Sequence, residues 1–179
     1  MNHALSKSPP DNQRWADDVY ELCKHCGIRA IAYVPDGGHR RLIERAVHDN
    51  EMQSVLLTTE EEGVAFCAGA DLGLGRALLL MQSSGVGNCV NTFSLLSTSD
   101  FPFLTLVSMR GEPGEQNRWQ NPMGQALDTV LTAMGIDVLR VERSDQILAT
   151  VEQALHSAFD DGNRVAVLLT QQLMGAKQF

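Results

Sequence analysis

Six short apolar runs recur along the chain: IRAIAYV (28–34), QSVLLTT (53–59), RALLLMQ (76–82), FLTLVSM (103–109), IDVLRV (136–141) and VAVLLT (165–170). Apolar residues at successive positions mark strands that are covered on both faces, as in a parallel sheet. Between them, roughly over 12–26, 39–49, 61–73, 86–99, 122–134 and 144–160, apolar residues recur at helical spacing. Strict alternation of strand and helix predicts an α/β fold with right-handed crossovers. The expected architecture is three-layered and doubly wound: a mostly parallel six-stranded sheet with helices on both faces. No internal repeat or low-complexity linker interrupts the pattern. It predicts a flexible N-terminal tail over 1–13 and a single domain over 14–179.

Length and charge narrow the function classes. A chain of 179 residues is long enough to bury a sizeable core. Its net charge of −8, without any Lys/Arg cluster, argues against a nucleic-acid partner. No apolar run approaches the roughly 20 residues of a membrane span, and MNHALSKSPPDNQ has no hydrophobic signal region. A cytoplasmic protein without membrane contact is expected. Among the four cysteines, Cys67 and Cys89 sit between small apolar neighbours and read as core thiols. Cys23 and Cys26, in C-K-H-C, resemble half a zinc site or a redox pair. A zinc site would need a second Cys/His pair, and a redox pair would follow a strand rather than end a helix. No metal ligands are therefore expected in this chain.

In a doubly wound sheet, ligands bind beyond the carboxyl ends of the strands. That rule selects Pro35-Asp-Gly-Gly-His39, Thr58-Thr-Glu-Glu-Glu62, Gln82-Ser-Ser-Gly-Val-Gly-Asn88 and the long loop from Met109 to Gly124. Gly85-Val-Gly87 resembles the start of a dinucleotide fingerprint, but Val90 stands at the third glycine position. Neither a phosphate-binding Gly-Lys-Ser/Thr loop nor a Gly-x-Ser-x-Gly elbow occurs. What remains at Gly85 to Asn88 is a turn that lets something approach closely. The triplet Glu60-Glu61-Glu62 admits two readings. Acidic groups in a first turn offset the helix dipole, or one of them is a buried catalytic acid.

The run TEEEGVAFCAGADLG…RALLLMQSSGVGNCVN…LTLVSMRGEPGEQNRWQNPMG resembles the pyrimidine-binding domain of the thiamine-diphosphate-dependent 2-oxoacid decarboxylases. It is most similar to the branch that acts on sulfopyruvate and phosphonopyruvate, and the similarity extends from about Trp15 to Thr170. In that family a glutamate at the end of the second strand bonds N1′ of the aminopyrimidine and promotes the tautomer that generates the carbanion. The resemblance places this glutamate nine residues before Gly69, at Glu60, with Glu61 the alternative if the register slips by one. Glu62 is then left as the helix-start charge. The resemblance further implies that Gln82, Ser83, Ser84 and Gly85 border the cofactor, although the family commonly has Asn where Ser83 stands. It makes Asp36 and His39 candidates for substrate contact, His39 also for proton transfer, and Arg110 and Arg118 candidate ligands of the substrate's anionic groups.

The family's Gly-Asp-Gly…Asn magnesium motif is not found; Asp160-Asp161-Gly162-Asn163 reads instead as a helix-ending turn. The resemblance therefore implies a separate beta subunit that holds the magnesium ion and the diphosphate, together with self-association through the pyrimidine-binding domain. A nucleotide-binding module using Gly85–Asn88 and a scaffold subunit without activity are the competing readings.

Overall fold

The computed structural model describes residues 14–174, so the tail expected over 1–13 and the last five positions lie outside the described residues. The order of elements is α1 (Arg14–His25), β1 (Ile28–Tyr33), α2 (Arg40–His48), β2 (Gln53–Leu56), α3 (Glu60–Leu72), β3 (Arg76–Gln82), α4 (Ser83–Cys89) and α5 (Phe93–Thr98), followed by β4 (Phe103–Ser108), α6 (Asn121–Ala133), β5 (Asp137–Val141), α7 (Ile147–Phe159), β6 (Arg164–Leu169) and α8 (Gln171–Met174). Short 3₁₀ turns, Arg118–Gln120 and Ser144–Gln146, lead into α6 and α7.

All six strands are parallel, in the order β2-β1-β3-β4-β6-β5. Alternation along each strand feeds two separate cores. Leu78 and Leu80 of β3, with Val165, Val167 and Leu169 of β6, meet α1, α2 and α7. Leu79 and Met81, with Ala166 and Leu168, meet α3, α4, α5 and α6 on the other face. Each fully buried aliphatic side chain contributes about 1.5–3 kcal/mol, which is why the inner strands are predominantly apolar. The expected three-layer, doubly wound architecture is the one observed.

Local differences have identifiable causes. The helix expected over 86–99 is two helices, because Val90, Asn91 and Thr92 form a turn tightened by i to i−3 bonds. That turn lets Phe93 drop into the core beside Phe103, with ring centroids 6.0 Å apart. Helix α3 starts one residue earlier than expected, so all three glutamates lie in its first turn. The strand expected over 53–59 ends at Leu56, on the sheet edge.

The connections diverge at β1, which has β2 on one side and β3 on the other. Such a switch point opens a crevice at the carboxyl ends of the strands. The segments that follow β1, β2, β3 and β4 all arrive there.

Candidate active site

Glu60, at the first position of α3, is buried, whereas Glu61 and Glu62 are exposed. Thr59 enters the helix in an extended conformation, and Glu62 folds back to accept the backbone N–H of Thr59, the N-cap, at 3.5 Å, half of a capping box, and that of Thr58 at 2.9 Å. The triplet is thus divided: Glu62 caps, Glu61 faces solvent and Glu60 turns inward. Asn88 Nδ2, on α4, donates to Glu60 Oε2 at 2.9 Å. Among the described residues it is the one hydrogen-bond donor found on this carboxylate. Gly85 accounts for the space. A Cβ at that position would stand 2.3 Å from Glu60 Oε1 and 2.4 Å from its carboxyl carbon. The body that approaches this glycine so closely is therefore Glu60 itself, and Gly85 and Gly87 lie inside α4 rather than in an open loop. Cys89 Sγ donates to the Gly85 carbonyl, and burial followed by the charge of Glu60 pushes its thiol up to about 12.

Beside this carboxylate runs a polar chain across the switch point. Asp36, after β1, accepts from Gly38 N at 2.9 Å and from Ser108 Oγ, at the end of β4, at 2.6 Å. Its other oxygen accepts from Gln82 Nε2, at the end of β3, at 3.0 Å. Gln82 Oε1 in turn accepts from Ser84 Oγ at 2.9 Å and from Gln120 Nε2 at 3.2 Å. Gln120 is buried, and among the described residues its Oε1 has no hydrogen-bond partner. A buried acceptor left unmade costs about 1–3 kcal/mol. His39 is 1% exposed, and its Nε2 donates to the Met81 carbonyl at 3.1 Å. It is thus a packed residue tying the start of α2 to β3, not a solvated one.

The loop after β4 is organised by an ion pair. Arg110 binds Glu115 in a bidentate manner, Nε to Oε2 at 2.6 Å and Nη2 to Oε1 at 2.7 Å, with both side chains buried. Glu115 also accepts from Gly111 N, Asn117 N and Gln171 Nε2. The Arg110 hydrogen bond holds the Glu115 carboxyl down at about 2, against the opposing effect of burial. The fork expected to meet a substrate anion is filled from within the loop, so an anion would have to displace a buried carboxylate. The Arg110 backbone N–H meanwhile donates to Ser83 Oγ at 3.0 Å, joining this loop to the start of α4. Two glycines allow the loop to close. Gly111 has φ +77°, and a Cβ on Gly124 would lie 1.9 Å from the Arg110 carbonyl oxygen. Arg118, at the start of the 3₁₀ turn, is exposed.

The strand ends therefore bring together Glu60, Gln82, Ser83, Ser84 and Gly85, with Asp36 and Arg110 bonded to that group; Arg118 is exposed on the 3₁₀ turn before α6 and is not brought into contact with it. Sequence reasoning overlooked Asn88, Gln120, Glu115 and Gln171. The R-G-E-P-G motif ends one residue before Glu115, and an acidic residue five positions after an arginine on a glycine-hinged loop was the available signal. Cys23, on the buried face of α1, packs into the core, and burial pushes its thiol up to about 12, far from thiolate reactivity. Among the described residues, no three His, Cys, Asp or Glu side chains are grouped to hold a metal ion, and no helix is long and apolar enough to cross a membrane. A buried carboxylate with one amide partner, seated against a glycine, fits the ring nitrogen of a flat aminopyrimidine. The Gln120 oxygen, buried and without a partner among the described residues, is a further acceptor at the same strand ends.

No protein-family model matches the chain. The sulfopyruvate decarboxylase alpha subunit of Methanococcus maripaludis is 30% identical over 86% of this chain and 93% of its own. That of Methanothermobacter thermautotrophicus is 32% identical over 86% of this chain and 94% of its own. The phosphonopyruvate decarboxylase of Streptomyces viridochromogenes is 33% identical over 74% of this chain, which spans only 32% of that longer protein. Among solved structures, the 2-oxoglutarate:ferredoxin oxidoreductase of Magnetococcus marinus superposes with a TM-score of 0.72 at 17% identity, over 89% of this chain and 29% of that one. A protein assigned as a thiamin diphosphate-dependent enzyme from Mycobacterium smegmatis gives 0.67 at 16% identity, over 87% and 30%. These two likenesses establish the fold.

Proposed function

This chain belongs to the family of sulfopyruvate decarboxylase alpha subunits, and from that premise we propose that it is the pyrimidine-binding half of a thiamine-diphosphate-dependent carboxy-lyase. The proposed substrate is a 2-oxoacid with a second anionic group, sulfopyruvate first and phosphonopyruvate as the alternative. The observation that carries this reading is the inward carboxylate of Glu60, held by Asn88 and fitted against Gly85. A scaffold subunit has no use for such a group, because a buried carboxylate with one partner costs stability.

Thiamine diphosphate, when bound, supplies the carbanion chemistry that releases CO₂. Glu60 holds the hydrogen bond at the pyrimidine ring nitrogen and sets its protonation. Asn88 fixes one carboxylate oxygen and leaves the other for the ring. Gly85 sets how deep the carboxylate sits, and Gln82, Ser83 and Ser84 form the wall beside it. His39 and Asp36 hold β1 and β3 in register at the crevice. Arg118, exposed at the same edge, is the cation for a sulfonate or phosphonate, while Arg110 shapes the loop through Glu115 and Ser83. A beta subunit binds the diphosphate and Mg²⁺ and completes the site, in an α₂β₂ assembly or a multiple of it in the cytoplasm.

The test is reconstitution with a partner chain carrying Gly-Asp-Gly…Asn, followed by steady-state kinetics on sulfopyruvate, phosphonopyruvate and pyruvate. The expected result is aldehyde and CO₂ from the doubly anionic substrates only in the complex. A preference for pyruvate would remove the anion assignment and leave the cofactor assignment standing. Turnover by this chain alone would remove the need for a partner.

A further inference from the structure

The orientation of the Gln120 amide is dictated from the far end of the polar chain. An ionised Asp36 carboxylate only accepts, so the group Gln82 turns toward it is its Nε2, at 3.0 Å. Gln82 therefore presents its oxygen in the other direction, where Ser84 Oγ and Gln120 Nε2 donate to it. Once Gln120 has spent its amino group on Gln82, its free end is an oxygen. That oxygen is buried and has no partner among the described residues, in a residue only 5% exposed. Rotating the Gln120 amide by half a turn would set two oxygens against each other at Gln82. Rotating Gln82 as well would set its oxygen against the Asp36 carboxylate. The polarity of the relay is thus locked, and its output is a hydrogen-bond acceptor at the carboxyl ends of the strands.

We propose that Gln120 is a ligand-contacting residue whose Oε1 accepts an N–H or O–H hydrogen bond in the working complex, and that Asp36 is its positioning residue, acting through Gln82. This rests on the proposed thiamine-diphosphate reading, which offers two donors of this kind: the exocyclic amine of the aminopyrimidine, and a hydroxyl derived from the substrate's carbonyl oxygen. The ionised 2-oxoacid itself carries no such donor. An acceptor here therefore distinguishes the cofactor, or the hydroxyl derived from the substrate's carbonyl oxygen, from the bare substrate. It also changes the role expected of Asp36 from direct substrate contact to orientation at a distance.

The experiment uses the complex reconstituted with the diphosphate-binding partner and compares wild type, Gln120→Met and Asp36→Asn. Two affinity ratios are measured calorimetrically. One is thiamine diphosphate against an analogue lacking the 4′-amino group. The other is a 2-hydroxy acid analogue of the substrate against its deoxy counterpart, in the loaded complex. Gln120→Met, which keeps length and bulk, should reduce one ratio about tenfold, the worth of one hydrogen bond of about 1.4 kcal/mol. Loss in the cofactor ratio identifies the amine as donor, and loss in the hydroxy-acid ratio identifies the hydroxyl. Asp36→Asn should lower the same ratio part of the way, because an asparagine accepts or donates and lets Gln82 turn either way. If Gln120→Met binds cofactor and moves neither ratio, the contact is overturned. If Asp36→Asn leaves the affected ratio at its wild-type value, the relay is overturned. A wild-type complex that fails to bind thiamine diphosphate at all would instead remove the cofactor reading beneath both.

Discussion

Two buried carboxylates stand at the same edge of the sheet and are treated in opposite ways. Glu115 accepts from five donors: two on Arg110, the backbone N–H groups of Gly111 and Asn117, and Gln171 Nε2. Glu60 has Asn88. The first is saturated and therefore structural, because every lone pair is committed and the group has nothing left to offer a ligand. The second is undersaturated, and it is kept from filling its remaining valence with protein by a glycine where a side chain would otherwise stand. A fold tolerates such a group where the missing partner arrives from outside. The contrast separates two residues that look alike in sequence and in burial.

The sharpest break of the comparison is Glu60→Gln. On the proposed function it should lower turnover of the reconstituted complex by about 10²–10⁴-fold, since an amide cannot play the acid–base part at the ring nitrogen. Thermal stability should change little, because the amide still meets Asn88. Glu61→Gln, at an exposed position in the same turn, should leave turnover within about twofold. Turnover and melting curves of the pair decide it. Activity surviving in Glu60→Gln while Glu61→Gln loses it would move the catalytic acid by one residue.

Glu115→Gln should reverse the pattern. Removing one member of a buried ion pair leaves Arg110 uncompensated and costs about 3–5 kcal/mol. For a chain of this size that lowers the melting temperature by roughly 10 °C. The same pair sets an acid limit. The folded-state carboxyl is held at about 2, below its ordinary value of 4.5. A depressed carboxyl contributes stability that is fully present above 4.5 and is lost as pH falls from 4.5 toward 2. Urea denaturation between those limits should show a steeper decline in wild type than in Glu115→Gln.

Gly85→Ala tests the fit between the two regions. The added Cβ would overlap the Glu60 carboxyl group at 2.3–2.4 Å and its Cγ at 2.5 Å. The carboxylate must move by a substantial fraction of an ångström, for which a loss of about 10²-fold in turnover is expected. The melting temperature should fall less than in Glu115→Gln, since the carboxylate yields toward the open crevice. An unchanged turnover would mean that the position of Glu60 is not critical.

How far the sequence could be read follows from the range of the interactions. The inner strands β3, β4 and β6 were legible because they bury both faces, the edge strands β2 and β5 by their apolar runs alone, and the alternation of strands with helices implies parallel order. The four loops at the carboxyl edge were legible for the same topological reason. The partners that distinguish one carboxylate from another were not. Glu60 and Asn88 are 28 residues apart, and Gln171 reaches the Glu112–Glu115 segment from up to 59 residues away. No local pattern encodes such pairs. Arg110 illustrates the cost: a guanidinium near a strand end suggests an anion site, and only the folded loop reveals that Glu115 occupies the fork. Likewise the glycine pair at Gly85 and Gly87 suggests a loop for a flat ligand, whereas the chain uses the first of them to seat its own carboxylate.

The smallest effect belongs to Glu62, the third member of the triplet, and it closes the comparison within a single helical turn. Its carboxylate accepts the Thr58 N–H at 2.9 Å and, at 3.5 Å, that of Thr59. These backbone donors precede the first helical residue and have no carbonyl of the helix to reach. The negative charge also lies at the positive end of the dipole. Glu62→Ala removes both contributions, together worth about 1 kcal/mol at this exposed position. The expected fall in melting temperature is about 2–4 °C. Turnover should hold close to wild type, because the inward direction of Glu60 is set by Gly85 and Asn88, on α4. A large loss of turnover in Glu62→Ala would mean instead that the cap determines where Glu60 points. The division of the triplet into a cap, a solvated charge and an inward carboxylate would then be one coupled device, and Glu60 could not be assigned its orientation from α4 alone.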